Sequence, residues 1–226
     1  MANLCIGGQM AVLNVIVAPT GTYKFVWNGN HPTGTNYGWT DSGVGTSEGT
    51  LTGALIATDY GQTGYGLQLN AGNERLQFTV ATNDLISDTQ GTIWLSLYIG
   101  SNSSNSYIVE VYVDANNFIA MSVNYSARTV TGAHKGSGGT TVAVTSTDVV
   151  SLITWTRVGY AWSNSDGKHA IKIGAGAWKE ETEAIDVFNS AITNLKIGEL
   201  NMGSIGGEYW IDNFYVTAGY KDADPL

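Results

Sequence analysis

TIWLSLYI, residues 92–99, alternates along its whole length: Ile93, Leu95, Leu97 and Ile99 fall on one face, Thr92, Trp94, Ser96 and Tyr98 on the other. A period of two is the pitch of side chains along a β-strand, so one face of this segment is suited to a core. The polar run GSNSSNS (100–106) has to leave the sheet, and YIVEVYV (107–113) re-enters it with Val109, Val111 and Val113 aligned against Glu110. Asp114, Ala115, Asn116 and Asn117 turn the chain, and FIAMSV (118–123) returns, which predicts a hairpin.

The same pattern recurs on both sides. TWTRVGYAW (154–162) runs through an Asp-Gly turn to HAIKI (169–173), a second hairpin. GLQLN (66–70) and LQFTV (76–80) alternate, LKIG (195–198) reads as a short strand, and YWIDNFYVT (209–217) closes the series with Trp210, Phe214 and Val216 expected on one face. Short strands at this spacing, separated by Gly, Asn and Ser turns, predict an all-β, two-sheet antiparallel sandwich. Residues 178–195 break the pattern: three glutamates precede Ala184, Ile185, Phe188 and Ile192, which fits a short helix with an acidic N-terminus or an irregular loop. GAHKGSGGTT (132–141) lacks the Gly-Lys-Ser/Thr order of a phosphate loop and reads as a mobile loop. One domain over 1–226 is expected, with 1–23 a strand or arm and 219–226 a frayed tail.

Composition excludes several function classes. Of 226 residues 43% are hydrophobic and 13% charged, the reverse of a disordered chain. Ten Lys and Arg against nineteen Asp and Glu leave a net charge of −9, with the cations scattered singly. Nucleic-acid binding, which needs a basic surface to displace counterions, is therefore not expected. Cys5 is the only cysteine, so no disulfide within the chain is available. No basic residue precedes the weakly apolar stretch at 10–18, and no apolar run reaches a bilayer span. Neither a cleavable signal peptide nor membrane insertion is expected.

TIWLSLYI, YIVEVYVDANNFIAMSV, WTRVGYAWSNSDGKHAIKI, LKIGEL and YWIDNFYVT, in that order, resemble the concanavalin A-like lectin/glucanase superfamily in its laminin-G-like branch. The resemblance spans about residues 65–218 and implies a jelly-roll sandwich. Its glucanase members carry carboxylates in a Glu-x-Asp-x-x-Glu pattern, because retaining hydrolysis needs two carboxyls flanking the sugar bond. Glu110 and Asp114 have the wrong spacing for that, Glu183 and Asp186 do no better, and the three His and three Arg are dispersed. No catalytic residue is assigned, and an enzyme is not expected.

Calcium enters through two stretches. Residues 162–167 half-match a calcium loop, but with Trp162 in place of the first carboxylate and no distal Glu they read as an Asp-Gly turn. Asp212 and Asn213 in the last strand are the metal candidates, because similar jelly rolls often hold a structural Ca²⁺ there; no cofactor is required. Sugars are bound by aromatic faces with Asn and Asp taking the hydroxyls. The ligand candidates on turn-rich segments are therefore Trp27, Tyr37, Trp39, Trp178, Asn28, Asn36 and Asp41, each also able to pin a loop to the sandwich. Trp94, Trp155 and Trp162 are expected to pack the core or a sheet surface.

The functional expectation is a non-catalytic structural or adhesion protein on a particle surface, such as a bacteriophage decoration or tail component. Its expected partners are other virion subunits, a second copy of itself, or cell-surface glycan. The alternatives are a free carbohydrate-binding lectin module and, third, a polysaccharide-degrading enzyme. On the first reading the protein sits on the virion, or outside cells after assembly, and its apolar N-terminal residues pair with a neighbouring subunit.

Overall fold

The computed structural model describes residues 5–6, 9–10, 23–27, 36–40, 43–57, 61–62, 66–70, 74–79, 86–137, 139–198 and 207–226; for 5–49, 55–57 and 79 among these, backbone alone. The described residues contain no helix and form eighteen strands. The first eight are β1 (Cys5–Ile6), β2 (Gln9–Met10), β3 (Tyr23–Trp27), β4 (Asn36–Thr40), β5 (Gly43–Thr52), β6 (Leu55–Ala57), β7 (Gly66–Leu69) and β8 (Arg75–Thr79). Then come β9 (Gln90–Ile99), β10 (Ser106–Asp114), β11 (Asn117–Asn124), β12 (Thr129–Lys135) and β13 (Val142–Thr145). The last five are β14 (Thr156–Ser163), β15 (Lys168–Ile173), β16 (Lys179–Thr182), β17 (Asn194–Gly198) and β18 (Tyr209–Thr217).

Two antiparallel sheets pack as a sandwich. The front sheet runs β16-β15-β14-β9-β18, and β18 is continued on its far side by β7 and then β3. The back sheet runs β13-β12-β11-β10-β17-β8-β5-β4, and the pairing of Val26 with Trp39 joins β3 to β4 so that the ladder passes from one layer to the other. β1 and β2 pair only with each other among the described residues.

The alternation of 92–99 has the expected consequence. Ile93, Leu95, Leu97 and Ile99 are fully buried and face Val109, Val111, Ile119, Met121, Leu195 and Ile197 of the back sheet. Each such side chain contributes about 1.5–3 kcal/mol by leaving water. Both predicted hairpins form, as β10–β11 and β14–β15.

Four expectations are corrected. Residues 132–135 are not loop but the end of β12, which pairs with β11 and β13; beyond Val130 its inward positions are Gly132 and His134 rather than aliphatics, so the apolar signal was missing there. A Cβ at Gly132 would overlap the fully buried Tyr160 ring, so glycine here is a packing requirement of the layer opposite. Of the two readings of residues 178–195, the helix does not form, and the irregular one holds for 183–193. Glu180 and Glu181 pair with Ala170 and His169 in β16, and the chain beyond is irregular, with backbone groups bonded outward: Phe188 N to Asp88 (2.6 Å), Asn189 N to Asn117 (3.1 Å) and Ser137 N to the Val187 carbonyl (3.2 Å).

The third correction lies in β18. A bulge between Asp212 and Tyr215, with Asn213 at φ 49°, inserts one residue and reverses the alternation. Phe214 and Val216 point into the core, whereas Trp210, opposite Tyr98, points out. The fourth is the tail. Of residues 219–226, expected to fray, 219–224 lie along the outer face of the front sheet, where Thr92 Oγ1 donates to the Gly219 carbonyl (2.6 Å), Trp94 Nε1 donates to that of Asp222 (3.2 Å) and Asp224 meets Arg157.

Candidate functional site

The outer face of the front sheet carries three rows of side chains across β18, β9 and β14. In the first, Trp210 stands opposite Tyr98 with its ring edge-on at 4.8 Å and 88°. Trp155, just before β14, stands on the other side of Tyr98 at 5.7 Å and 58°. All three rings are half-buried. The flanking turn holds Ile153 at φ 56°, with its N–H donated to the Ile99 carbonyl (2.9 Å) and 61% of the residue exposed. A β-branched residue in the left-handed region is sterically costly, and an exposed one gains little burial to offset it. On the other side, Gly100 lets the chain at Glu208 close in; a Cβ there would meet the Glu208 side chain at 2.6 Å.

The second row is polar: Asp212, Ser96 and Arg157. Asp212 is fully buried, and its carboxylate accepts from the N–H of Gln62 (3.0 Å) and of Asn213 (2.6 Å), which ties the 61–62 turn to the bulge. These are the two residues expected to bind calcium. Both Asp212 oxygens engage backbone amides, and among the described residues no three His, Cys, Asp or Glu converge to hold a metal ion.

The third row is Tyr215, Trp94 and Gly159. Above the gap left by Gly159 sits Trp178, edge-on to Trp94 at 5.2 Å and 65°; a Cβ at Gly159 would lie 2.7–2.9 Å from the two indoles. Trp178 is thus the one ligand candidate with a described side chain, and it packs half-buried on the sheet. The tail crosses this row. Its Tyr220 hydroxyl (2.8 Å) and the Lys221 ammonium bond Glu180, and those bonds hold the Glu180 carboxyl at about 2, well below the usual range; burial pushes the Tyr220 phenol up.

Of the other sequence candidates, the backbone places Trp27 at the end of β3 opposite Phe214, Trp39 in β4 opposite Val26, and Tyr37 and Asn36 in β4 opposite Glu48 and Gly49. Asn28 and Asp41 lie outside the described residues. The structure adds three residues that the sequence did not select: Tyr98, Trp155 and Trp210. The signal was present, since Trp94, Ser96 and Tyr98 were read on the face away from the core, but an aromatic on a sheet surface reads as packing until its neighbours are known.

No protein-family model matches the chain, and no curated protein matches it. Solved structures do. The receptor binding domain of botulinum neurotoxin C/D mosaic serotype superposes with a TM-score of 0.68 at 10% identity, covering 89% of this chain and 49% of that one. The serotype G binding domain gives 0.68 at 10%, covering 88% and 48%. The binding domain of botulinum neurotoxin DC in complex with SialylT gives 0.65 at 10%, covering 91% and 50%. The chain spans about half the length of these structures, and at such identity the likeness is one of fold. This chain carries the β-sandwich fold found in those binding domains.

Proposed function

We propose that the protein is a non-catalytic recognition module that binds glycan on the outer face of its front sheet. The carrying observation is the half-open cluster of Tyr98, Trp155 and Trp210, with a strained and exposed Ile153 at its edge. Such rings present flat apolar area to the CH face of a pyranose and lose little rotamer entropy on binding. The binding domains that share the fold, one of them solved with SialylT, support a recognition role, as does the jelly-roll resemblance of the concanavalin A-like kind. The loop residues Trp27, Tyr37, Trp39, Asn28, Asn36 and Asp41 are proposed as a second contact zone.

A glycan array tests this. The intact protein is expected to bind at least one glycan class, Trp155→Ala and Trp210→Ala to lose that binding, and Trp178→Ala to keep it. Full binding by both platform variants would overturn the proposal. As setting we propose a particle surface, a bacteriophage decoration or tail position; the lone Cys5 and the net charge of −9 support it. A strictly monomeric mass in solution would count against assembly with other subunits.

A further inference from the structure

Arg157 is held by aromatic rings, a backbone carbonyl and a carboxylate. Its guanidinium carbon lies 5.6 Å from the centre of the Trp94 ring and 5.2 Å from that of Tyr215, two rings that are cross-strand neighbours in the next row. One edge is fixed to the protein: Nη1 donates to the Asn213 carbonyl (2.6 Å) and to Ser96 Oγ (3.4 Å). The other edge faces a carboxylate. Nε donates to both oxygens of Asp224 (3.0 and 3.1 Å), and Nη2 lies 2.9 Å from Oδ1. A planar fork set beside aromatic rings and bonded at its back is the arrangement that reads carboxylates with geometric specificity.

The carboxylate comes from a segment that is lightly attached. Up to Asp222 the tail is anchored, through Gly219 and Asp222 to Thr92 and through Asp222 to Trp94. Beyond it, Ala223 is exposed, Leu226 is 64% exposed, and Asp224 makes the bonds to Arg157. A swing at Ala223 would free the fork without stripping the rest of the tail from the sheet. Arg157 is also one row from the aromatic platform: Ser96, its cross-strand partner, is two residues along β9 from Tyr98, about 7 Å at the rise of a strand. A ligand whose ring stacks on the platform can therefore bring a carboxylate to the fork.

We propose that Arg157 is a carboxylate-reading subsite of the glycan face, occupied in cis by Asp224, and that it takes an acidic sugar of the uronate or sialate type. This rests on the glycan reading above. The net charge of −9 opposes approach of a polyanion over long range, but that field is screened within about 10 Å in ordinary salt, whereas the fork acts at contact.

The probes are methyl β-glucoside and methyl β-glucuronide, which differ only at the carboxylate, titrated at constant ionic strength against the wild type and Asp224→Ala. The indole N–H signals of Trp94, Trp155 and Trp210 are followed. Removing the competing carboxylate is expected to tighten glucuronide binding about three- to tenfold, with a shift of Trp94, and to leave the glucoside unchanged. Adding Arg157→Lys, which keeps the charge but loses the fork, is expected to abolish the gain while the fold, checked by circular dichroism, persists. If Asp224→Ala binds both probes as the wild type does, the subsite is overturned and the platform stands. If neither probe binds either protein, the uronate-reading subsite is overturned, while the platform is judged separately by the glycan array.

Discussion

Acid should destabilise this protein through one histidine. His134 points inward from β12, fully buried, with its ring 5.3 Å from that of Phe188 and 6.5 Å from that of Trp162. Neither ring nitrogen finds a hydrogen-bond partner among the described residues. Burial, reinforced by neighbouring His169, lowers its pKa from 6.5 to about 3. A folded value below the unfolded one means the neutral form is favoured by folding. The stability it supports is fully present above about pH 6.5 and is lost as pH falls toward 3. With those two values, linkage gives a loss of about 1 kcal/mol by pH 6 and about 2 kcal/mol by pH 5, approaching about 5 kcal/mol below pH 3. His169, opposite Trp162, is shifted in the same direction by burial and adds to the trend. The perturbation is His134→Phe, which keeps an aromatic ring in an aromatic site and removes the proton. Urea denaturation at pH 8, 6 and 5 reads the effect before most carboxylates titrate. The wild type should lose about 2 kcal/mol more than the variant between pH 8 and 5. Equal losses would refute the reasoning, because they would mean that His134 reaches water, or a partner, in the folded state.

Gly132→Ala should cost about 1–3 kcal/mol in the same assay, since the added methyl overlaps the enclosed Tyr160 ring; an unchanged midpoint would show the layers to be looser than described. Ile153→Asn should raise stability by about 1 kcal/mol, because asparagine tolerates φ 56° and little burial is lost, and a drop in the thermal midpoint would contradict the strain. Chelator should leave the melting temperature within error of that in millimolar calcium, as Asp212 already engages two amides; a rise with calcium would restore the metal reading of Asp212 and Asn213.

The sandwich was legible wherever one face of a strand was aliphatic. Residues 92–99, 107–123, 154–173 and 209–217 gave up their hairpins and strands because alternation and turn chemistry agreed. β12 was hidden because, of its three inward positions, only Val130 is aliphatic; the other two hold Gly132 and His134, residues that fit Tyr160, Trp162 and Phe188 on other segments, a fact no local window contains. The bulge in β18 had the larger consequence. It moved Trp210 from the core side, where period-two counting places it, to the outer face beside Tyr98. The aromatic cluster thus depends on one inserted residue at Asn213. The tail looked free because Asp, Ala and Pro carry no core signal, yet its anchors are Thr92, Trp94, Arg157 and Glu180, all 40 or more positions away.

Indole N–H resonances give the most direct test of glycan recognition on the front sheet. A ¹⁵N-labelled sample carries seven tryptophans. It would be titrated with methyl glycosides of glucose, galactose and mannose to high millimolar concentration. At least one sugar should move Trp155 and Trp210 while Trp162, enclosed in the core and bonded to the Ser87 carbonyl, stays fixed. Movement confined to indoles other than Trp155 and Trp210, or none with any sugar, would contradict glycan recognition on this sheet.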